Sequence, residues 1–220
     1  MKLRNLLLAT ILMVGSVTPM MAQFSNTGGS KSLIFSEQEV APYYNRLSVG
    51  YNATFMGNSF ASLTLNGFTV KYVHGFGLTK SLPLYLETGL KLNMDFATPL
   101  EGLLESGSVK RRMLYISIPL NIAYRFGFSN GISLQPYTGF NFKVNAYGED
   151  VTTDIYGRSV SQDLFSKDYN DWKRFQMGWQ IGLGLNVKKF YFGFEYGLDF
   201  IKLQKGLGTS HVEVSLGLNI

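Results

Sequence analysis

The stretch Arg111–Phe126, RRMLYISIPLNIAYRF, constrains the fold more than any other part of the chain. Ile116, Ile118, Leu120, Ile122, Tyr124 and Phe126 share one parity, and Tyr115, Ser117, Pro119, Asn121, Ala123 and Arg125 share the other. Successive strand side chains point to opposite faces, so this pattern specifies a strand between an apolar and a polar medium. A tilted strand crosses bilayer hydrocarbon with about 9–11 residues. This one is long enough.

The same period recurs along the chain. Arg46–Met56, Phe68–Leu78, Leu82–Phe96, Ile132–Ala146, Arg174–Val187, Phe190–Phe200 and His211–Ile220 complete a set of eight runs. Aromatic content of 15% and 24 glycines, with no amphipathic helical period, give an all-β chain. Leu63 and Leu65 are out of phase with Phe68, which predicts a turn or bulge at Asn66-Gly67. Pro83, Pro119 and Pro136 each remove a ladder donor, so bulges are expected there. TGLKL, TGFNF, YGLDF and LGLNI place Gly before an apolar–polar–apolar triplet, a weak repeat that shared strand geometry explains.

Connections are short after the second, fourth and sixth runs, and long and polar at Ala97–Lys110 and Tyr147–Lys173. Turns at one end and loops at the other describe an outer-membrane barrel. The polar parity carries Arg46, Lys71, Lys91, Arg125, Lys143 and Arg174 against Glu87, Asp95, Glu195, Asp199 and Glu213. That near balance suits a packed, ion-paired interior. Tyr72, Phe76, Tyr124, Phe126 and Phe190 gather on the apolar parity near the short-turn end, as an interfacial girdle would. The expected fold is therefore an eight-stranded, antiparallel, up-and-down transmembrane β-barrel, apolar outside and polar within. A secreted lipocalin-like barrel with its apolar face inward is the inverted alternative.

The first residues agree. Lys2 and Arg4 precede the apolar run Leu6–Val14, and Ala22 stands before Gln23, the layout of a cleaved signal peptide over residues 1–22. Residues 23–42 read as a flexible periplasmic lead-in, and 43–220 as the barrel. Losing Lys2 and Arg4 takes the net charge from +5 to +3, with no basic stripe for nucleic acid. With no cysteine, disulfides and thiolate metal sites are excluded.

YISIPLNIAYRF, then a Gly/Asn turn and PYTGFNFKVN, resembles the PorT-like outer-membrane β-barrel proteins of Bacteroidota over roughly residues 43–220. That resemblance implies a barrel without catalytic residues. The final strand keeps the alternation that barrel-assembly machinery reads, but ends in Ile220 where an aromatic is usual.

Little in the sequence suggests catalysis, a cofactor or a metal. His74 falls on the apolar parity, where an interfacial histidine is the plain reading. His211 has Ser210, Glu213 and Ser215 nearby, but a hydrolase needs a nucleophile, base and acid within bonding reach. Asp168, Asn170 and Asp171 offer oxygens for calcium without the rest of an EF-hand loop. Lys110, Arg111 and Arg112 would lie at the outer rim, near lipopolysaccharide phosphates. The longest loop, Tyr147–Lys173, is acidic and also holds Ile155, Tyr156, Leu164, Phe165, Tyr169 and Trp172. These residues either bind a protein partner or fold back to cap the barrel. The expectation is a monomeric barrel with a structural or surface-interaction role and no open pore. A narrow transporter or a lipid-modifying barrel enzyme is the alternative.

Overall fold

A computed structural model of the protein describes residues 40–57, 62–97, 108–128, 131–154, 156–168 and 172–220. The proposed signal peptide and nearly all of the lead-in lie outside the described residues, as do Ile155, Tyr169, Asn170 and Asp171. In chain order the strands are β1 (Tyr43–Gly57), β2 (Ser62–Gly77), β3 (Leu84–Phe96), β4 (Ser108–Tyr124), β5 (Phe126–Gly127), β6 (Ile132–Thr153), β7 (Ser159–Asp163), β8 (Phe175–Val187), β9 (Phe190–Asp199) and β10 (Gly208–Asn219).

Every ladder is antiparallel. Pairings of β1 with β10 and of β4 with β6 close eight strands, β1-β2-β3-β4-β6-β8-β9-β10, into a ring. Closure leaves no sheet edge for lipid to meet unsatisfied. The two short strands extend this wall: β5 continues β4 past Arg125, and β7 pairs with the far end of β6.

The faces follow the predicted alternation. Ile116, Ile118, Leu120 and Ile122 are exposed outward, while Tyr115, Ser117, Asn121 and Ala123 are buried inward. Tyr43, Tyr72, Phe76 and Phe190 stand exposed toward the short-turn end; Tyr124 and Phe126 of the predicted girdle are half-buried and tilt against each other, centroids 4.6 Å apart.

Four expectations are corrected. Asn66-Gly67 is no turn: β2 runs through it in unbroken register with β1, Asn52 opposite Gly67 and Ala53 opposite Asn66. Leu65 changes phase because it points into an apolar part of the lumen. The prolines make no bulges. Pro83 stands just before β3. Pro119 pairs in register with Asn141 and Pro136 with Leu183. Each ladder omits the bridge the missing N–H would serve, Gly89–Pro119 and Tyr124–Pro136, together with the one beside it, Leu90–Ile118 and Arg125–Gln135, before resuming in the same register. The one register shift lies at Leu114/Tyr115, where Ala146 is the extra residue on β6. Tyr147–Lys173 is not all loop, since β6 continues to Thr153 and turns back as β7. Arg174 is exposed at the rim rather than interior, its N–H groups on the carbonyls of Asn145 (3.3 Å) and Ala146 (3.0 Å).

Candidate functional site

The lumen is built in tiers. At the short-turn end Tyr44, Tyr85, Ala123 and Tyr137 form a buried cluster around Glu87. The Glu87 carboxylate accepts from Tyr44 Oη, Arg46 Nη2 (2.9 Å) and Gln135 Nε2 (2.8 Å). Arg125 closes this end: its guanidinium lies 4.2 Å from the Tyr44 ring centroid and donates to Gln135 Oε1 at 3.0 Å.

The middle tier is a four-charge cluster. Lys71 and Lys91 stand directly opposite each other on β2 and β3, and Glu195 and Glu213 do the same on β9 and β10. Each like-charged pair faces the other across the lumen. Lys71 Nζ lies 2.7 Å from Glu213 and 3.4 Å from Glu195; Lys91 Nζ lies 2.5 Å from Glu213 and 2.6 Å from Glu195. Tyr137 Oη donates to Glu195 at 2.9 Å. Four side chains with no net charge satisfy one another where water is scarce, which is the condition for burying charge.

Above it, Lys143 Nζ donates to Asp199 at 2.7 Å and Asn52 Nδ2 to Asp95 at 2.6 Å. With Arg174 outside, the predicted interior charges that are buried are Arg46, Lys71, Lys91 and Lys143 against Glu87, Asp95, Glu195, Asp199 and Glu213, with Arg125 half-buried at the end; Asp150 is buried as well, nearer the rim.

The long-loop end is closed by apolar side chains. Met56, Leu65, Met113, Leu164, Trp172 and Leu203 form a buried cluster, with Leu63, Ala97, Phe165 and Leu207 packed on it. Leu164 and Trp172 come from the segment read as a long loop, so these two, with Phe165 packed on them, fold back into the mouth, while Tyr156 does not. Arg111 clamps this plug. It grips Asp150 through Nε (2.6 Å) and Nη2 (2.5 Å), a bidentate geometry only arginine offers, and its guanidinium lies 4.7 Å from the Trp172 centroid. Sequence reasoning placed Arg111 at the rim but missed this role, because only the extra residue Ala146 turns Asp150 inward.

Beyond the rim β6 and β7 project as a hairpin, with the start of β4 along β6's other side: Lys110 pairs with Val151, and Val151 with Ser161. Its tip is rigid. The Asp154 carboxylate accepts from the amides of Tyr156 (2.9 Å) and Arg158 (2.8 Å) and from Arg158 Nε (2.9 Å), and Gly157 takes a φ of 80°. The Arg158 amide above all, then its guanidinium, holds the Asp154 carboxyl below its usual range. Tyr156 is 77% exposed and Val160 59%.

The other sequence candidates do not come together. His74 faces outward beside Tyr43 and Phe76, with Nδ1 2.6 Å from Asn45 Oδ1. His211 is buried with Nε2 3.4 Å from Glu195, while Glu213 is taken by the lysines. Ser210 pairs with outward-facing Phe55, away from both. Asp168 is exposed, and no group of three or more His, Cys, Asp or Glu among the described residues is placed to hold a metal ion.

A family model described as "Outer membrane protein beta-barrel domain" matches residues 20–202. The chain belongs to this family. It is a small outer-membrane β-barrel with an ion-paired interior, resident in the outer membrane with its lipid-facing wall apolar. Among solved structures it is similar in fold to Ail, the attachment invasion locus protein of Yersinia pestis, at 14% identity over 82% of this chain and 100% of that one, TM-score 0.50. Ail has also been solved with the heparin analogue sucrose octasulfate, a match of 15% identity over 82% of this chain and 100% of that one, TM-score 0.48. Neisserial surface protein A matches at 14% identity over 82% of this chain and 97% of that one, TM-score 0.44. No curated protein matches the chain.

Proposed function

We propose that the protein is a closed, non-catalytic barrel that serves as a scaffold, holding its outer end at the cell surface for interaction with partners. The observation that carries this reading is the stacking of the cross-lumen charge cluster beneath the apolar plug. Lys71, Lys91, Glu195 and Glu213 occupy the middle of the lumen, and Trp172, Leu164 and Leu203 occupy its mouth. An eight-stranded barrel is just wide enough for side chains to fill, so interaction falls to the rim and the hairpin.

Within this reading residues 1–22 are removed on export, residues 23–42 lie in the periplasm, and the barrel is a monomer inserted through its C-terminal strand by the assembly machinery. The motifs around Tyr115–Phe126 and Pro136–Asn145 support kinship with the PorT-like barrels of Bacteroidota. Exposed Lys110, Arg112, Lys173, Lys202 and Lys205 support contact between the outer rim and lipopolysaccharide phosphates. Commitment of Glu213 to Lys71 and Lys91, with Ser210 turned away beside Phe55, supports a barrel without hydrolase chemistry.

Planar-bilayer recording tests the reading. Purified protein should give no steady conductance; long-lived channels of uniform size would replace the scaffold with a transporter.

A further inference from the structure

The hairpin β6–β7 ends in an edge that nothing described covers. Leu164 N donates to Gly148 O (3.0 Å) and Asp154 N to Arg158 O (2.9 Å), which sets the phase of the ladder between them. Antiparallel alternation then directs the backbone groups of Val160 and Gln162 to β6 and turns those of Ser159, Ser161 and Asp163 away. Among the described residues, the outward N–H groups of all three and the outward carbonyls of Ser159 and Ser161 take no partner; the Asp163 carbonyl accepts from Ser166 N at 3.2 Å.

Natural edges are blunted by shortness, by charged side chains, lysine above all, by proline or by a bulge. SVSQD is five residues long and its one charge, Asp163, stands at its root; it has no lysine or proline, and its register with β6 is regular from Thr153/Ser159 to Glu149/Asp163. Nor is the strand a loose flap. Its tip is fixed by Asp154, and its root is fixed by Leu164 in the plug and by Arg174, which lies 3.8 Å from Asp163 and 4.5 Å from the Phe165 centroid. The small Ser159 and Ser161 side chains bond inward along the hairpin, to Thr153 (2.9 Å) and to Glu149, leaving the backbone open to close approach.

We infer that the free edge of β7 is a strand-addition site, which takes an extended segment of another polypeptide as a further strand of the projecting sheet. This inference rests on the scaffold reading and names its class of partner. Alternating donors and acceptors along an edge are complemented only by an extended main chain, so recognition is tolerant of side-chain sequence. A second copy in the same membrane fits poorly. Barrel strands tilt about 35–45°, so copies related by rotation about the membrane normal would cross their β7 edges at roughly twice that angle.

The test uses the full chain in lipid nanodiscs. The probe is a capped eight-residue peptide, Lys-Thr-Val-Thr-Val-Thr-Val-Lys, with a version N-methylated at alternate amides. The peptide should bind and slow amide exchange at Ser159, Ser161 and Asp163. The methylated version should not bind. Ser161→Pro, which deletes one outward donor and leaves the β6 ladder intact, should weaken binding by about tenfold or more. Ser161→Ala should bind within about twofold of the parent, because only its side chain changes. Unaltered protection of Val160 and Gln162 in Ser161→Pro shows that the hairpin still folds; should it not, the methylated peptide decides alone. Absence of binding, equal binding of the methylated peptide, or protection elsewhere overturns the proposal. So does protection of the same amides by self-association without peptide. A silent bilayer recording alongside any of these would leave the scaffold reading standing while this edge is lost.

Discussion

Glu213→Gln isolates the energetics of the cross-lumen cluster. In the parent, two cations and two carboxylates share four contacts of 2.5 to 3.4 Å, all with side chains at most 4% exposed. The amide keeps the shape and removes one negative charge, so Lys71 and Lys91 are left facing Glu195 alone. Breaking a buried pair in this way costs about 3–5 kcal/mol, because the remaining charge has no solvent to turn to. Lys71→Met should cost a similar amount by stranding a carboxylate. The double variant restores neutrality and keeps the 2.6 Å Lys91–Glu195 pair, so it should lie within about 1–2 kcal/mol of the parent and above either single variant. Urea unfolding from lipid vesicles would report this, followed by fluorescence of the two tryptophans, Trp172 and Trp179. Single variants within about 0.5 kcal/mol of the parent, or a double variant as unstable as the sum of the singles, would refute a cluster held by mutual neutralisation.

Ile118→Arg, on the lipid face near the middle of β4, should cost about 2–4 kcal/mol in the same vesicle assay. Trp172→Ala removes the largest side chain of the plug and the surface under Arg111; it should destabilise the mouth by about 3–5 kcal/mol, read as faster exchange at Leu164 and Met113, while β9 and β10 keep their protection. The hairpin tip should loosen in acid. Its carboxylate titrates below the ordinary Asp value, so the order it confers is complete above that value and is lost as pH falls through the lowered one. Amide exchange at Tyr156 and Arg158, corrected for the intrinsic rate, should rise only there, and Asp154→Asn should remove the pH dependence. Replacing Val151–Gln162 with a short Gly/Ser turn should spare Leu164 and Trp172 and leave the barrel heat-resistant in detergent, as checked by gel mobility before and after boiling.

Much of this architecture was legible because lipid imposes one rule on every residue of the wall. Between Tyr115 and Ala123 the solvent on each face is fixed, so parity assigns the side chain. The rule fails where its cause ends. Arg174 keeps the polar parity of β8 but stands above the hydrocarbon, and there parity no longer means interior. Leu65 breaks parity because the mouth is apolar on its inner side, a reversal that no local pattern distinguishes from a turn. The stretch Tyr147–Thr153 reads as loop because the extra residue Ala146 reverses its parity and turns Gly148 and Asp150 inward, yet pairing with β4 and β7 makes it strand. Pro119 was legible as a lost donor, but not as a harmless one. Its N–H would serve β3 at Gly89, and the ladder keeps one register on both sides of the lost bond, Thr88 opposite Leu120 and Lys91 opposite Ser117.

The plug and the charge cluster depend on each other through the dielectric. Ion pairs as close as those of Lys91 gain little in water and much more where water is excluded. Trp172, Leu164 and Leu203 exclude it from above, while the Tyr44–Tyr85–Tyr137 cluster does so from below. In return the cluster ties β2 and β3 to β9 and β10, and the bidentate Arg111–Asp150 pair ties β4 to β6 directly beneath the projecting hairpin. Rigidity is thus carried from the lumen to the outer rim through paired charges and packed rings. A hairpin whose root is fixed in this way presents its edge at low entropic cost, which favours binding over the same sequence in a free loop.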